Sequence, residues 1–110
     1  MTRVRIDKSA LGRDIYITGH CANENSGSTE ATLVCAAMTT LAQTIAQNVF
    51  DSEDTGDTDI IDVTLRSGQA VISYVTDDDG LNTAVDGICK GFDMLEENYP
   101  EYVSCCRSEG

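Results

Sequence analysis

Apolar and polar residues alternate from Arg3 to Lys8, with Val4 and Ile6 on one face and Arg3, Arg5 and Asp7 on the other. A period of two is the signature of a half-buried strand. Leu11 to Arg13 reads as a turn around Gly12, and the alternation resumes through Ile15 and Ile17 to form a second strand over Asp14 to Gly19. Ala22 to Glu30, with its asparagines, serines and Gly27, reads as a mobile polar loop. From Thr32 to Asn48 the apolar positions Leu33, Val34, Ala37, Met38, Leu41 and Ile45 recur at three and four, which predicts an amphipathic helix with Thr32 as N-cap and an end near Val49. Asp51 to Asp59 is an acidic, solvated connector in this reading.

The alternation returns in Ile61, Val63 and Leu65, is broken by Ser67 and Gly68, and continues in Gln69 to Val75, predicting a β-hairpin in which Gly68 takes the positive φ. Leu81, Val85, Ile88, Phe92 and Leu95 share one face of a second helix. Its start falls at Asp77 to Asp79, whose carboxylates suit a helix N-terminus, and it stops before Pro100. The tail from Tyr99 to Cys105 is read as an additional edge strand. Together these elements predict a single α+β domain over residues 1–110, a mixed or antiparallel sheet with both helices packed on one face.

Composition narrows the function. The chain has 110 residues, 41% of them apolar, enough for one core. Its formal charge of −12 repels phosphate, which argues against direct nucleic-acid binding and favours a cationic polypeptide as partner. Neither a secretory leader nor an apolar run long enough to span a bilayer is read at the N-terminus or beyond, so a cytoplasmic protein with no membrane contact is expected. The five cysteines, Cys21, Cys35, Cys89, Cys105 and Cys106, form no disulfide framework, and with His20 they lack the spacing of a zinc site; no metal or cofactor is expected.

Two residues carry candidate chemistry. His20, the one histidine, sits where the second strand ends, a place where loops gather functional groups; its plain alternative is a half-exposed side chain bonded to a nearby carbonyl. With Thr32 as N-cap, Cys35 falls at the third helical position, where unpaired N–H groups and the helix dipole favour a thiolate. Its alternative is a small buried residue beside Ala36 and Ala37. Should the loop bring His20 to Cys35, the pair would form a Cys–His dyad, with the N–H groups around Cys35 and Ala36 facing an oxyanion, and acyl transfer is the reaction class.

Gly19-His20, the small-residue polar loop, Leu33-Val34-Cys35-Ala36-Ala37 and the ending Asn98-Tyr99-Pro100-Glu101-Tyr102-Val103 resemble the ribosomal-processing cysteine proteases called Prp, over nearly the whole chain. The resemblance implies a homodimer in which His20 is the base and Cys35 the nucleophile. The substrate it implies is a short N-terminal extension of a large-subunit ribosomal protein, or a phage structural protein. It further implies that the loop around Gly27 admits the substrate peptide, with Gly19, Thr32, Ala36 and Thr39 in support. Thr32 stands where the family usually has an aspartate, and Thr39 where a serine commonly follows. A basic extension suits a chain of charge −12. Two other classes remain open: a non-catalytic acidic module of the same fold that holds a basic peptide tail, and a structural dimer whose function lies in its partner.

Overall fold

A computed structural model describes residues 1–19 and 29–109, the last of these by its backbone alone. The elements run β1 (Thr2–Lys8), β2 (Gly12–Thr18), α1 (Thr29–Asp54), β3 (Thr58–Arg66), β4 (Gln69–Thr76), α2 (Asp79–Asn98) and β5 (Val103–Glu109). The strands form one sheet in the order β3-β4-β2-β1-β5. All neighbours are antiparallel except β1 and β5, which pair in parallel from Thr2 with Val103 to Lys8 with Glu109. The sheet is therefore mixed, and the tail supplies its edge strand as the sequence predicts.

Alternation decides which face is covered. Val4, Ile6, Ile15, Ile17, Ile72 and Tyr74 point into one buried cluster with Val34, Met38 and Ile45 of α1 and Val85, Cys89 and Phe92 of α2, so both helices lie on the same face. Burying each such side chain contributes about 1.5–3 kcal/mol. Tyr74 is buried with its hydroxyl donating to Asn82 Oδ1 at 2.9 Å, so the core's largest side chain is also paired. Burial pushes its phenol pKa well up.

The expected hairpin is present, with Gly68 at φ 78° in the two-residue turn between Arg66 and Gln69. Edge strand β3 carries a bulge between Ile60 and Asp62 that leaves Ile61 exposed, an irregularity that discourages another strand from pairing there. The start of α2 falls within the predicted acidic run: Asp78 is the N-cap, its Oδ1 accepting from the Gly80 N–H at 2.9 Å. Cys89, on the inner side of α2, is buried.

Three expectations are corrected. The first turn falls earlier than Gly12, over Ser9 to Leu11, with the Gly12 N–H donating to Ser9 Oγ at 3.0 Å. Helix α1 starts at Thr29 rather than at a Thr32 cap, and Thr32 is an exposed residue of its first turn. At the other end it continues through Asp54, so Asp51 to Asp54 are helical rather than connector. Ser52 explains the extension: it is buried in the last turn and shares a 2.6 Å hydrogen bond with Thr58 Oγ1, so a polar stretch is held by a tertiary contact. The buried stripe also differs from the expected one. Ala31, Val34, Met38, Ala42, Ile45, Ala46 and Val49 are buried, while Leu33 is 63% exposed.

By length and composition α1 is also apolar enough to cross a membrane. Its outer face presents Thr32, Gln43, Thr44 and Gln47 to solvent while the opposite stripe fills the core, the division of a core helix.

Candidate active site

A cavity of about 400 Å³ opens where the N-terminal half of α1 passes over the β3–β4 hairpin and the end of β2. Three of the expected site residues border it: Gly19, Cys35 and Thr39. Cys35 is partly buried, one flank against the core and the other on the cavity. Thr39, one turn later, donates its hydroxyl to the Cys35 carbonyl at 3.0 Å. Thr32 and Ala36 are exposed on α1 and do not line the cavity. His20, Cys21 and Gly27 lie outside the described residues, as does the rest of the predicted loop up to Ser28.

Gly19 is a glycine for two physical reasons. Its φ of +96° lies in the left-handed region, and a Cβ there would sit 2.4 Å from the Met1 carbonyl oxygen. Its N–H donates to the Gly68 carbonyl at 3.0 Å, fastening the end of β2 onto the hairpin turn. The sequence identifies Gly19 only as His20's neighbour; the structure shows it to be a junction between β1, β2 and the hairpin.

The corrected start of α1 changes the electrostatic argument at Cys35. Only the first four N–H groups of a helix lack an intrahelical partner, and the dipole's influence is confined to the terminal turn. Cys35 lies six residues after Thr29, inside the helical ladder, so neither its N–H nor that of Ala36 is an orphan donor for an oxyanion. Gln43, whose side-chain amide is a donor, borders the cavity instead.

The other thiols are differently placed. Burial pushes Cys89 up to about 11. Burial, with Glu96 and Asp93 nearby, raises Cys105 to about 11 as well. Its thiol donates to the Phe92 carbonyl at 3.4 Å, and its backbone N–H to Glu96 Oε2 at 2.7 Å. Cys106 is exposed on the uncovered face of the sheet. Among the described residues no three His, Cys, Asp or Glu side chains are grouped to hold a metal ion.

Sequence reasoning missed the hairpin's part. Leu65 to Ala70 form one wall of the cavity, and Met38, Ala42 and Gln43 continue the α1 wall beyond Thr39. The order β4-β2 carries the hairpin beside the end of β2, an adjacency that no local period reports.

The model of the cysteine protease Prp family matches residues 1–104. The chain belongs to the Prp family. No curated protein matches it. Among solved structures, SMU.848 from Streptococcus mutans is similar with a TM-score of 0.71 at 20% identity, covering 100% of this chain and 96% of that one. An essential ribosomal processing protease Prp from S. aureus, in complex with a covalently linked product peptide, gives a TM-score of 0.68 at 19% identity, covering 98% of this chain and 100% of that one. The same protease with a substrate peptide gives 0.63 at 16% identity over the same shares. These matches show that the sheet order and the one-sided helices described above are the Prp fold.

Proposed function

We propose that this Prp-family chain is a cysteine endopeptidase that removes a short N-terminal extension from a large-subunit ribosomal protein, with Cys35 as nucleophile and His20 as general base and acid. The observation that carries the reading is the juxtaposition of Cys35 and Gly19 on one cavity, Gly19 being the residue bonded to His20. In this mechanism the Cys35 thiol proton passes to His20, and the thiolate sulfur attacks the scissile carbonyl carbon. The oxyanion collapses as His20 returns the proton to the leaving amine. Water, deprotonated by His20, then hydrolyses the thioester and restores the thiol. The side-chain amide of Gln43 supplies the donor that the backbone of α1 at Cys35 does not.

The similarity to an S. aureus protease solved with a substrate peptide and with a covalently linked product peptide supports a peptide lying in this cavity. A net charge of −12 draws a basic extension to the surface. The proposal includes a homodimer working in the cytoplasm, without direct contact to nucleic acid or membrane; a phage structural protein is the second substrate class.

The test is intact-mass spectrometry of the source organism's extension-bearing ribosomal protein after incubation with wild type and with Cys35→Ala. The expected result is a discrete N-terminal loss with wild type alone and a fall in rate of at least about 10³-fold in the variant. Cleavage retained in Cys35→Ala overturns the assignment of the nucleophile. The charge also suits a non-catalytic acidic module; salt-sensitive binding of the extension with no mass change would favour that reading.

A further inference from the structure

Strand β3 runs up to the cavity with one side unpaired. We propose that a stretch of the peptide substrate adds to the sheet there as a short extra strand, hydrogen-bonded to the backbone of Val63 and Leu65, which holds it beside Cys35; the inference deepens the protease reading and rests on it.

The sheet order places β3 at an edge, with β4 on one side and no described strand on the other. Register fixes which of its backbone groups are free. Arg66 and Gln69 flank the two-residue turn and close it as a hydrogen-bonded pair, and in an antiparallel ladder such pairs alternate with non-hydrogen-bonded ones. Arg66, Thr64 and Asp62 therefore spend their N–H and C=O groups on Gln69, Val71 and Ser73. A bond on the far side of β4 agrees with this phase: the Gly68 carbonyl accepts from Gly19 at 3.0 Å, so the even-numbered residues of β4 bond toward β2 and the odd-numbered ones toward β3. Leu65 and Val63, opposite Ala70 and Ile72, turn their N–H and C=O groups to the open edge. Among the described residues no backbone bond outside the sheet reaches either.

Side-chain direction leads from this edge into the cavity. Val63 and Leu65 point to the helix-covered face, as Ala70 and Ile72 do, and Leu65, 43% exposed, borders the cavity together with Cys35 and Thr39 of α1. A strand laid beside Leu65 sends every second side chain to that same face. At the other end the bulge between Ile60 and Asp62 interrupts the ladder, so the added strand is short. A peptide continuing past the bulge runs by Asp59 and Asp62, both exposed, whose charge suits a basic extension. Strand addition takes its affinity from main-chain hydrogen bonds and its specificity from alternate side chains, which is how an open edge ending at a cavity can hold an extended substrate.

An N-methyl scan of the ribosomal extension peptide tests the proposal, with each backbone N–H across the scissile region replaced in turn. Binding is measured by fluorescence anisotropy with Cys35→Ala, and cleavage of the same peptides with wild type. Sensitive positions should recur at every second residue, each methyl weakening Kd by about fivefold or more while the residues between tolerate it. Leu65→Pro removes an edge N–H and leaves the bonds to β4 in place, so it should weaken binding of the unmodified peptide more than Leu65→Ala does. Equal losses at consecutive positions, or none at any, overturn strand addition whether or not the peptide is cut. Alternating losses in Kd with no cleavage by wild type would sink the protease reading and leave β3 as the edge of a peptide-binding site. A peptide neither bound nor cut overturns both.

Discussion

At the end of the sheet where α1 runs into β3 and β4 runs into α2, Ser52, Thr58 and Thr76 join their hydroxyls in a buried chain at 2.6 and 2.8 Å. Thr76 also donates to the Asp57 carbonyl and accepts from the Asp78 N–H, so the last member of the chain orients the cap of α2. At the opposite end, where β2 finishes, the hairpin turns and α1 begins, the chain leaves a cavity of about 400 Å³ bordered by the Cys35 thiol and by Thr39 and Gln43. One end satisfies its polar groups internally and excludes solute; the other keeps polar groups on a concave surface where a peptide can meet them. The cysteines divide in the same way, Cys89 sealed in the core and Cys35 on the cavity. What distinguishes a candidate nucleophile from a packing residue here is less the helix position than which end of the sheet it faces.

The sharpest way to break the open end is Gly19→Ala. The new Cβ meets the Met1 carbonyl at 2.4 Å and the residue must hold φ +96°, so the end of β2 has to shift. Displacement of that size at a reacting centre predicts a loss on the order of 10²-fold in kcat/KM, read in peptide-cleavage kinetics. Full activity would show that the junction does not position the site. At the closed end, Thr58→Val keeps the shape and strips Ser52 and Thr76 of their shared partner. Urea unfolding should report a loss of about 1–3 kcal/mol, with kcat/KM unchanged; a matching loss of activity would mean the two ends are coupled.

The smallest effect concerns the pair between β2 and α2. Arg13 donates from Nε and Nη2 to the two Asp86 oxygens, each at 2.9 Å, and this bonding holds the Asp86 carboxyl below its ordinary range. Because the folded pKa is depressed, the stabilisation is present above the unfolded value of about 3.9 and is lost as pH falls through the folded one. Asp86→Asn should therefore lower stability at neutral pH and flatten the acid limb below about pH 4, measured as urea midpoints across a pH series. An unchanged acid limb would assign that limb to other carboxylates.

Most of the fold was legible because it is written in local periods. The alternation through Val4 and Ile6, the Ser67-Gly68 turn, the acidic start of α2 and its stop before Pro100 all read from neighbours in sequence. The bounds of α1 did not, because Thr29 to Ala31 are not distinguished from the preceding polar stretch and Ser52 is held by a residue across the fold. The error carried into the chemistry: a Thr32 cap gave Cys35 a helix terminus that it does not have. Cys35, Gly19 and Thr39, which border the cavity, were named from motif and neighbourhood. Leu65, Arg66 and Gln69 were not, because they reach the cavity through strand order.

The parallel pairing of β1 with β5 has a consequence for the order of events during synthesis. Thr2 donates its N–H to the Tyr102 carbonyl at 2.8 Å, and Tyr102 is set by a turn in which its own N–H reaches the Tyr99 carbonyl at 2.9 Å. The first strand thus waits for a partner made about a hundred residues later, a long loop to close and a slow kind of contact. Met1, whose carbonyl crowds Gly19, belongs to the same junction. A nascent chain still threaded through the ribosome with β5 unmade lacks the strand that locks this corner, so the cavity is completed only after β5 has emerged.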